Sequence, residues 1–264
     1  MPEHRSILIT GASSGIGRAL ALAYAAPRTE LALIGRSAER LRDVAAAAKA
    51  RGAGVVTAQL DVRDRDAMHA WIAARDAARP FDLAIANAGI STGLAGKGFC
   101  EEPEAVRALL ATNLLGVLNT VEPLIGAMCA RGRGQLAFIG SIAGLRGLPY
   151  SPAYCASKAA VHAYAESLRG RLEERGVLVS LVIAGFVKTP LNEKISAAKP
   201  FEISDARAAD IIKSGLARGK ATIVFPRRLY LAARLARLLP PRLADRLLAQ
   251  FDVNVPETDE RLRS

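Results

Sequence analysis

Tyr154 and Lys158 lie four residues apart in a stretch that reads as helix, so both side chains leave the same face. A free phenol titrates at about 10 and keeps its proton at neutral pH; a group that gives and retakes a proton needs a value nearer the working pH. An ammonium about 4 Å away contributes roughly 4 kcal/mol at an effective dielectric of about 20. At about 1.4 kcal/mol per unit, that lowers the phenol by about three units before opposing desolvation is subtracted. The pair is therefore a candidate proton donor with its tuner. Ser141 ends an apolar run, which sets its hydroxyl at the carboxyl edge of a sheet, where a substrate oxygen belongs. Asn113 sits inside a long helical stretch, an unfavourable place for asparagine unless its side chain has a task. Y-x-x-x-K spacing alone is common on helix surfaces; its company singles this one out.

The elements carrying these residues alternate between short apolar runs and amphipathic stretches, the pattern of βαβ units and a parallel sheet. Strands are expected at residues 6–10, 31–35, 55–60, 83–86, 135–140, 177–183 and 222–225. Helices are expected near residues 17–26, 38–50, 64–78, 103–130 and 152–175. The expected architecture is α/β: a Rossmann-type, doubly wound, parallel seven-stranded sheet with helices on both faces, plus C-terminal amphipathic helices. Residues 1–225 would form the catalytic domain and 226–264 a helical extension. Within the former, residues 189–219 are polar, lack a strong apolar strand, and read as a helical insertion over the site.

Directly after the first strand comes TGASSGIG, residues 10–17. Its small residues let the backbone turn sharply and approach a pyrophosphate, and the helix starting near Ile16 aims its amides at the anion. The strand before and the helix after make this more than a glycine-rich turn. The second strand ends in Leu33-Ile34-Gly35-Arg36. An NAD site places a carboxylate near this strand end for the ribose hydroxyls. Gly35 and Arg36 stand here instead, and a guanidinium pairs with a phosphate through matched donors. NADP(H) is favoured over NAD(H).

With these motifs assembled, the chain resembles the short-chain dehydrogenase/reductase family in its single-domain form, over roughly residues 7–225. The resemblance rests on TGASSGIG, LDV at residues 60–62, ANAG at 86–89, Asn113 in ATNLLG, Ser141 in IGSIAG and YCASK at 154–158. It implies an NADP(H)-dependent oxidoreductase that moves a hydride between nicotinamide and a carbonyl or secondary alcohol. It implies a catalytic set of Asn113, Ser141, Tyr154 and Lys158, with Ser141 bonding the substrate oxygen and Asn113 holding a water that links the lysine to solvent. Implied cofactor contacts are Gly11, Ser13, Ser14, Gly15, Ile16, Gly17, Arg36, Asp61, Val62, Asn87, Ala88, Gly89, Tyr154, Lys158, Gly185, Val187 and Thr189. Asp61 and Val62 would meet the adenine and Asn87 the adjoining ribose. Asp61 has a second reading, as a cap for the helix beginning near Asp64. Two positions depart from the family pattern: Ala184 replaces a proline before Gly185, and Ala86 replaces an asparagine. The first leaves the stretch from Gly185 to Thr189 less rigid.

The formal charge of +11 raises nucleic acid as a partner, but the excess is spread over most helices with few aromatics beside it, so none is expected. The first residues are polar and the first strand runs into the glycine motif, unlike a secretory leader. No uncharged apolar run approaches the ~18–20 residues of a membrane span. Cys100, Cys129 and Cys155 show no paired spacing, which points to a reducing cytoplasm; Cys155 is expected to pack rather than react. His4, His69 and His162 share no metal-ligand spacing, so no metal is expected and each reads as a surface or interface residue. From Lys220 to Phe251 seven basic residues face one acidic residue. Leu231, Leu235, Leu238 and Leu239, then Leu243, Leu247 and Leu248 beyond Pro240 and Pro241, recur at helical spacing. Such helices can lie on anionic membranes, but packing on the domain, over the cleft or at a subunit interface is the favoured reading, with membrane contact the alternative. The resemblance implies a homodimer or homotetramer joined through the two long helices. Pocket candidates at residues 90–99, 142–150 and 191–201 are apolar or small, which favours a hydrophobic ketone, aldehyde or alcohol. Two other classes remain: a dinucleotide-sensing protein without turnover, and a peripheral membrane reductase of lipid or sterol type.

Overall fold

The computed structural model describes residues 4–94, 100–193, 196 and 198–248. Strands β1 (Ser6–Thr10), β2 (Glu30–Gly35), β3 (Gly54–Gln59), β4 (Leu83–Ala86), β5 (Gly134–Ser141) and β6 (Val177–Ala184) are followed by two short ones, β7 (Val187–Lys188) and β8 (Ile203–Ser204), and by β9 (Thr222–Phe225). Seven of them pair in the order β3-β2-β1-β4-β5-β6-β9, all parallel. The chain winds outward from β1 to β3, then crosses back to β4 and winds the other way. The switch lies between β1 and β4, where such sheets open a crevice beyond their carboxyl ends.

Side chains alternate across the sheet with the two-residue period of a strand. Ile7, Ile9, Leu31 and Leu33 pack on one face with α1 (Gly15–Tyr24), α2 (Ala38–Lys49) and, later in the chain, Ile212 and Leu216. Leu8, Ala32 and Ile34 pack on the other with α3 (Arg65–Ala78) and with Val121, Leu124 and Val161 from later helices. Each fully buried leucine or isoleucine contributes roughly 1.5–3 kcal/mol, so a core on both faces holds the strand ends in register.

The helix expected at 103–130 is three elements: α4 (Pro103–Leu110), a π-helical turn over Ala111–Leu115, and α5 (Gly116–Arg131). Asn113 therefore sits in a wide turn and not in regular α-helix. By length and composition Pro103–Arg131 could cross a membrane; here Val117, Val121, Leu124 and Met128 are buried in the core. Next comes α6 (Pro152–Leu172), ended by a 3-10 turn at Glu173–Arg175. In place of a purely helical insertion, residues 187–217 hold β7 and β8, paired with each other, around α7 (Pro190–Glu193), and then α8 (Asp205–Ala217). Two residues are too few to show alternation in sequence. The first helix also starts at Gly15, two residues before the expected start at 17.

After β9, α9 (Arg227–Ala236) and α10 (Pro241–Leu248) complete the described chain. Leu231, Leu235 and Leu238 are 57%, 63% and 80% exposed, while Tyr230 and Ala233 are half-buried. The leucine stripe thus faces outward. Residues 249–264 and the side chains of Leu247 and Leu248 lie outside the described part, as do pocket candidates 95–99, 194, 195 and 197.

Candidate active site

The glycine turn joins the ends of β1 and β4. The Thr10 hydroxyl accepts from the backbone N–H groups of Asn87 (3.1 Å) and Ala88 (3.3 Å), and Asn87 Nδ2 donates to the Thr10 carbonyl at 2.9 Å. Gly11 has φ +65°, and a Cβ there would lie 2.8 Å from Ala88 Cα. A Cβ on Gly17 would drive into the Gly11 carbonyl and the Asn87 amide. Gly17 thus supports the turn from behind. Ser14 precedes α1 without any side-chain cap, and the first turn holds no acidic residue. The leading amides of α1 are left for an anionic ligand, which the helix dipole also favours.

One cleft runs over this turn. Its walls include Ser13, Ser14, Gly15 and Ile16, then Arg36, Asp61 and Val62 at one end and Ser141, Tyr154 and Lys158 at the other. Gly11, Asn87, Ala88 and Gly89 form its floor, and Gly185, Val187 and Thr189 close it opposite. Every expected site residue lines this cleft except Gly17 and Asn113. Of the expected pocket segments, Ile90, Leu191 and Asn192 reach it and residues 142–150 do not.

At the first end, a Cβ on Gly35 would come 3.3 Å from the Ser13 hydroxyl, so β2 ends with little room for an acidic side chain. Arg36 is exposed there. Arg40, one helical turn on, also lines the cleft, and its Nε is buried with no partner. Arg40 was missed in sequence, although its four-residue spacing from Arg36 was a usable signal. Burial pushes the Asp61 carboxyl up, yet bonds from the Arg63 side chain (2.6 and 2.9 Å) and backbone, with the more distant charge of Arg36, hold it below the ordinary carboxylate range. The cap reading of Asp61 fails: Asp64 caps α3, accepting from the Ala67 N–H at 3.1 Å.

At the other end, Tyr154 and Lys158 share one face of α6. The ammonium lies 5.7 Å from the phenol ring centre and donates to the Ile139 carbonyl at 3.0 Å. Burial lowers Lys158 to about 8. Burial also pushes the Tyr154 phenol up from its ordinary value, while its hydrogen bond with Ser141 works the other way. The expected depression by lysine is therefore reversed, because desolvation outweighs an ammonium turned toward a carbonyl. Asn113 is wholly buried behind the cleft. Its Oδ1 accepts from Ile90 N–H at 2.8 Å, and its Nδ2 donates to Ile90 O at 2.9 Å and to Ser157 Oγ at 3.3 Å. It braces the backbone beside Gly89.

Of the three histidines, His162 departs from the surface expectation. It is 7% exposed, and its Nε2 accepts from the Ser141 N–H at 3.3 Å. Cys155 is buried as expected, with Sγ 3.3 Å from the Leu148 N–H. Although Ala184 lacks proline's restraint, the following loop is tethered: Gly185 N–H donates to Phe225 O at 2.8 Å and Ile203 N–H to Phe186 O at 3.2 Å. Among the described residues no cluster of metal-ligating side chains occurs.

The arrangement offers an anion cradle at one end and a proton donor at the other, with room between for an extended dinucleotide. The short chain dehydrogenase profile matches residues 5–200. An uncharacterized oxidoreductase of Myxococcus xanthus is 37% identical over 244 residues, covering 92% of this chain and 96% of its own. Among solved structures, a short-chain dehydrogenase from Sphingobium yanoikuyae in complex with NADPH superposes with TM-score 0.77 at 24% identity, covering 94% of this chain and 96% of that one. A short chain dehydrogenase from Mycobacterium paratuberculosis bound to NAD gives 0.73 at 26% identity, covering 84% and 96%. A nicotinamide dinucleotide therefore fits both the cradle and the company the fold keeps. On its motifs, its sheet and these likenesses together, the chain is an oxidoreductase of the short-chain dehydrogenase/reductase family.

Proposed function

We propose that this protein is an NADP(H)-dependent reductase of hydrophobic ketones or aldehydes, running also in the alcohol-oxidising direction. The observation that carries the reading is one cleft with uncapped α1 amides and two arginines at one end and Ser141, Tyr154 and Lys158 at the other. Arg36 and Arg40 hold the 2′-phosphate, and the α1 amides hold the pyrophosphate. A bound reduced nicotinamide supplies the hydride. Ser141 donates a hydrogen bond to the substrate oxygen and stabilises charge gathering there. Tyr154 gives that oxygen its proton; a phenol pushed up by burial keeps the proton until then. Lys158 then steadies the phenolate, and Asn113 acts behind it by fixing Ile90 and Gly89 at the cleft floor. A screen of ketones, aldehydes and alcohols with NADPH or NADP⁺, followed by nicotinamide absorbance, tests this. A protein that binds dinucleotide and turns over none of the panel is a sensor instead.

The division into a catalytic domain, residues 1–225, and a helical extension, 226–264, belongs to the same reading. So do a homodimer or homotetramer joined along α4–α5 and α6, and a cytoplasmic location, the latter supported by three free cysteines. For the extension the outward leucines favour peripheral contact with an anionic membrane: Leu231, Leu235 and Leu238 are exposed beside exposed Arg227, Arg234 and Arg237. Vesicles containing phosphatidylglycerol should sediment the wild type in a salt-sensitive way, and Leu235→Ser with Leu238→Ser should abolish this. Absence of binding by the wild type, with a change of oligomer size in the double variant, assigns the stripe to a subunit contact.

A further inference from the structure

We propose that His162 is a positioning residue for Ser141, extending the Tyr154–Lys158 ridge of α6 by one more turn. The inference rests on the reductase reading above. Tyr154, Lys158 and His162 follow at four-residue intervals, so they form one stripe along α6 facing the end of β5. Lys158 donates to the Ile139 carbonyl, and His162 accepts from the Ser141 N–H. The helix thereby grips β5 on both sides of Gly140, at the residue whose hydroxyl faces the substrate oxygen. The space for the ring is provided by glycine: a Cβ on Gly140 would strike His162 Nε2, and one on Gly144 would lie 2.7 Å from Cε1.

An acceptor at Nε2 leaves the ring's proton on Nδ1, so this histidine is neutral with one defined tautomer. Burial and the neighbouring Lys158 charge both oppose its protonation and lower it to about 4. A neutral ring adds no positive charge beside Lys158, while its lone pair holds the Ser141 backbone in place. Without it that N–H, at the rim of the sheet, loses this acceptor, and the backbone that carries the Ser141 hydroxyl is held less firmly. Positioning errors of this kind are read in turnover more than in binding.

The test combines His162→Leu, His162→Gln and nitrogen NMR of the wild-type ring at neutral pH. The expected result for His162→Leu is a kcat lower by about tenfold, the loss of one aligned hydrogen bond, with the NADPH Kd unchanged. Glutamine, which offers an acceptor oxygen, should recover most of that loss. The NMR spectrum should show the Nδ1–H tautomer with Nε2 unprotonated. Unchanged kcat in the leucine variant, or a Kd that weakens as much as kcat falls, overturns the proposal. If the leucine variant does not fold, a proton on Nε2 in the wild type overturns it alone. A wild type that turns over no substrate refutes the reductase reading instead, and the tautomer still decides the geometry.

Discussion

The Lys158 ammonium stands 5.7 Å from the centre of the Tyr154 ring and is hydrogen-bonded to the Ile139 carbonyl, not to the phenol. Both groups are driven toward their neutral forms by burial, the lysine to about 8 and the phenol upward. Burial thus favours keeping the proton on Tyr154.

That lysine makes stability depend on pH in a defined sense. Between about 8 and 10.5 the unfolded chain holds a proton on Lys158 that the folded chain has released, so stability rises with pH through this window. The rise attributable to this group is on the order of 3 kcal/mol. Urea midpoints at pH 7.5 and 9.5 should therefore diverge more for the wild type than for Lys158→Met. Parallel shifts would show that Lys158 is charged throughout.

Gly17 lines nothing, yet the turn depends on it. Gly17→Ala should displace the Gly11 carbonyl and the Asn87 amide together, because a Cβ has no space against either. Dinucleotide affinity should fall by at least tenfold while the fold persists. Titration by intrinsic fluorescence checks this, and an unchanged Kd would mean the turn adapts.

Arg36, just past β2, and Arg40, in the first turn of α2, should set cofactor choice. Arg36→Asp should move the ratio of kcat/KM for NADPH over NADH toward NADH, and Arg40→Leu should weaken NADPH alone. Each charge-assisted bond to a phosphate is worth roughly 1.5–3 kcal/mol, or about ten- to a hundredfold. A ratio unmoved by both changes would remove the 2′-phosphate from this corner.

Asn113 holds Ile90 from both sides. Asn113→Ala strands the Ile90 N–H and carbonyl in a buried setting, at a cost of about 1–3 kcal/mol in stability. Activity should fall further than stability alone explains, because Gly89 shares that backbone and lies in the cleft. Thermal unfolding beside initial rates separates the two, and a full-rate variant would confine Asn113 to the scaffold.

Much of this was legible in sequence because the carriers are local. β1 with its glycine turn, and Tyr154 with Lys158 on one helix, each declare themselves within twelve residues, and the apolar runs placed all seven sheet strands. What escaped depends on distant partners. Asn113 looked like a misplaced helical residue because its partner, Ile90, is 23 residues away. His162 carried no motif, since its role is set by the missing side chains of Gly140 and Gly144 on another element. The leucines of α9 showed a stripe, but which side faced the domain depended on Tyr230 and Ala233 packing inward. Electrostatics misled most: spacing suggested that lysine lowers the phenol, whereas burial decides the direction.

The proton role of Tyr154 is tested most directly by Tyr154→Phe, measured for NADPH affinity and for single-turnover reduction of whichever carbonyl the screen finds. Phenylalanine keeps the ring and its packing while removing the hydroxyl proposed to protonate the substrate oxygen. NADPH should bind as in the wild type and the reduction rate should drop by about 10²–10⁴-fold. A variant that reduces the carbonyl at the wild-type rate would place the proton donor elsewhere.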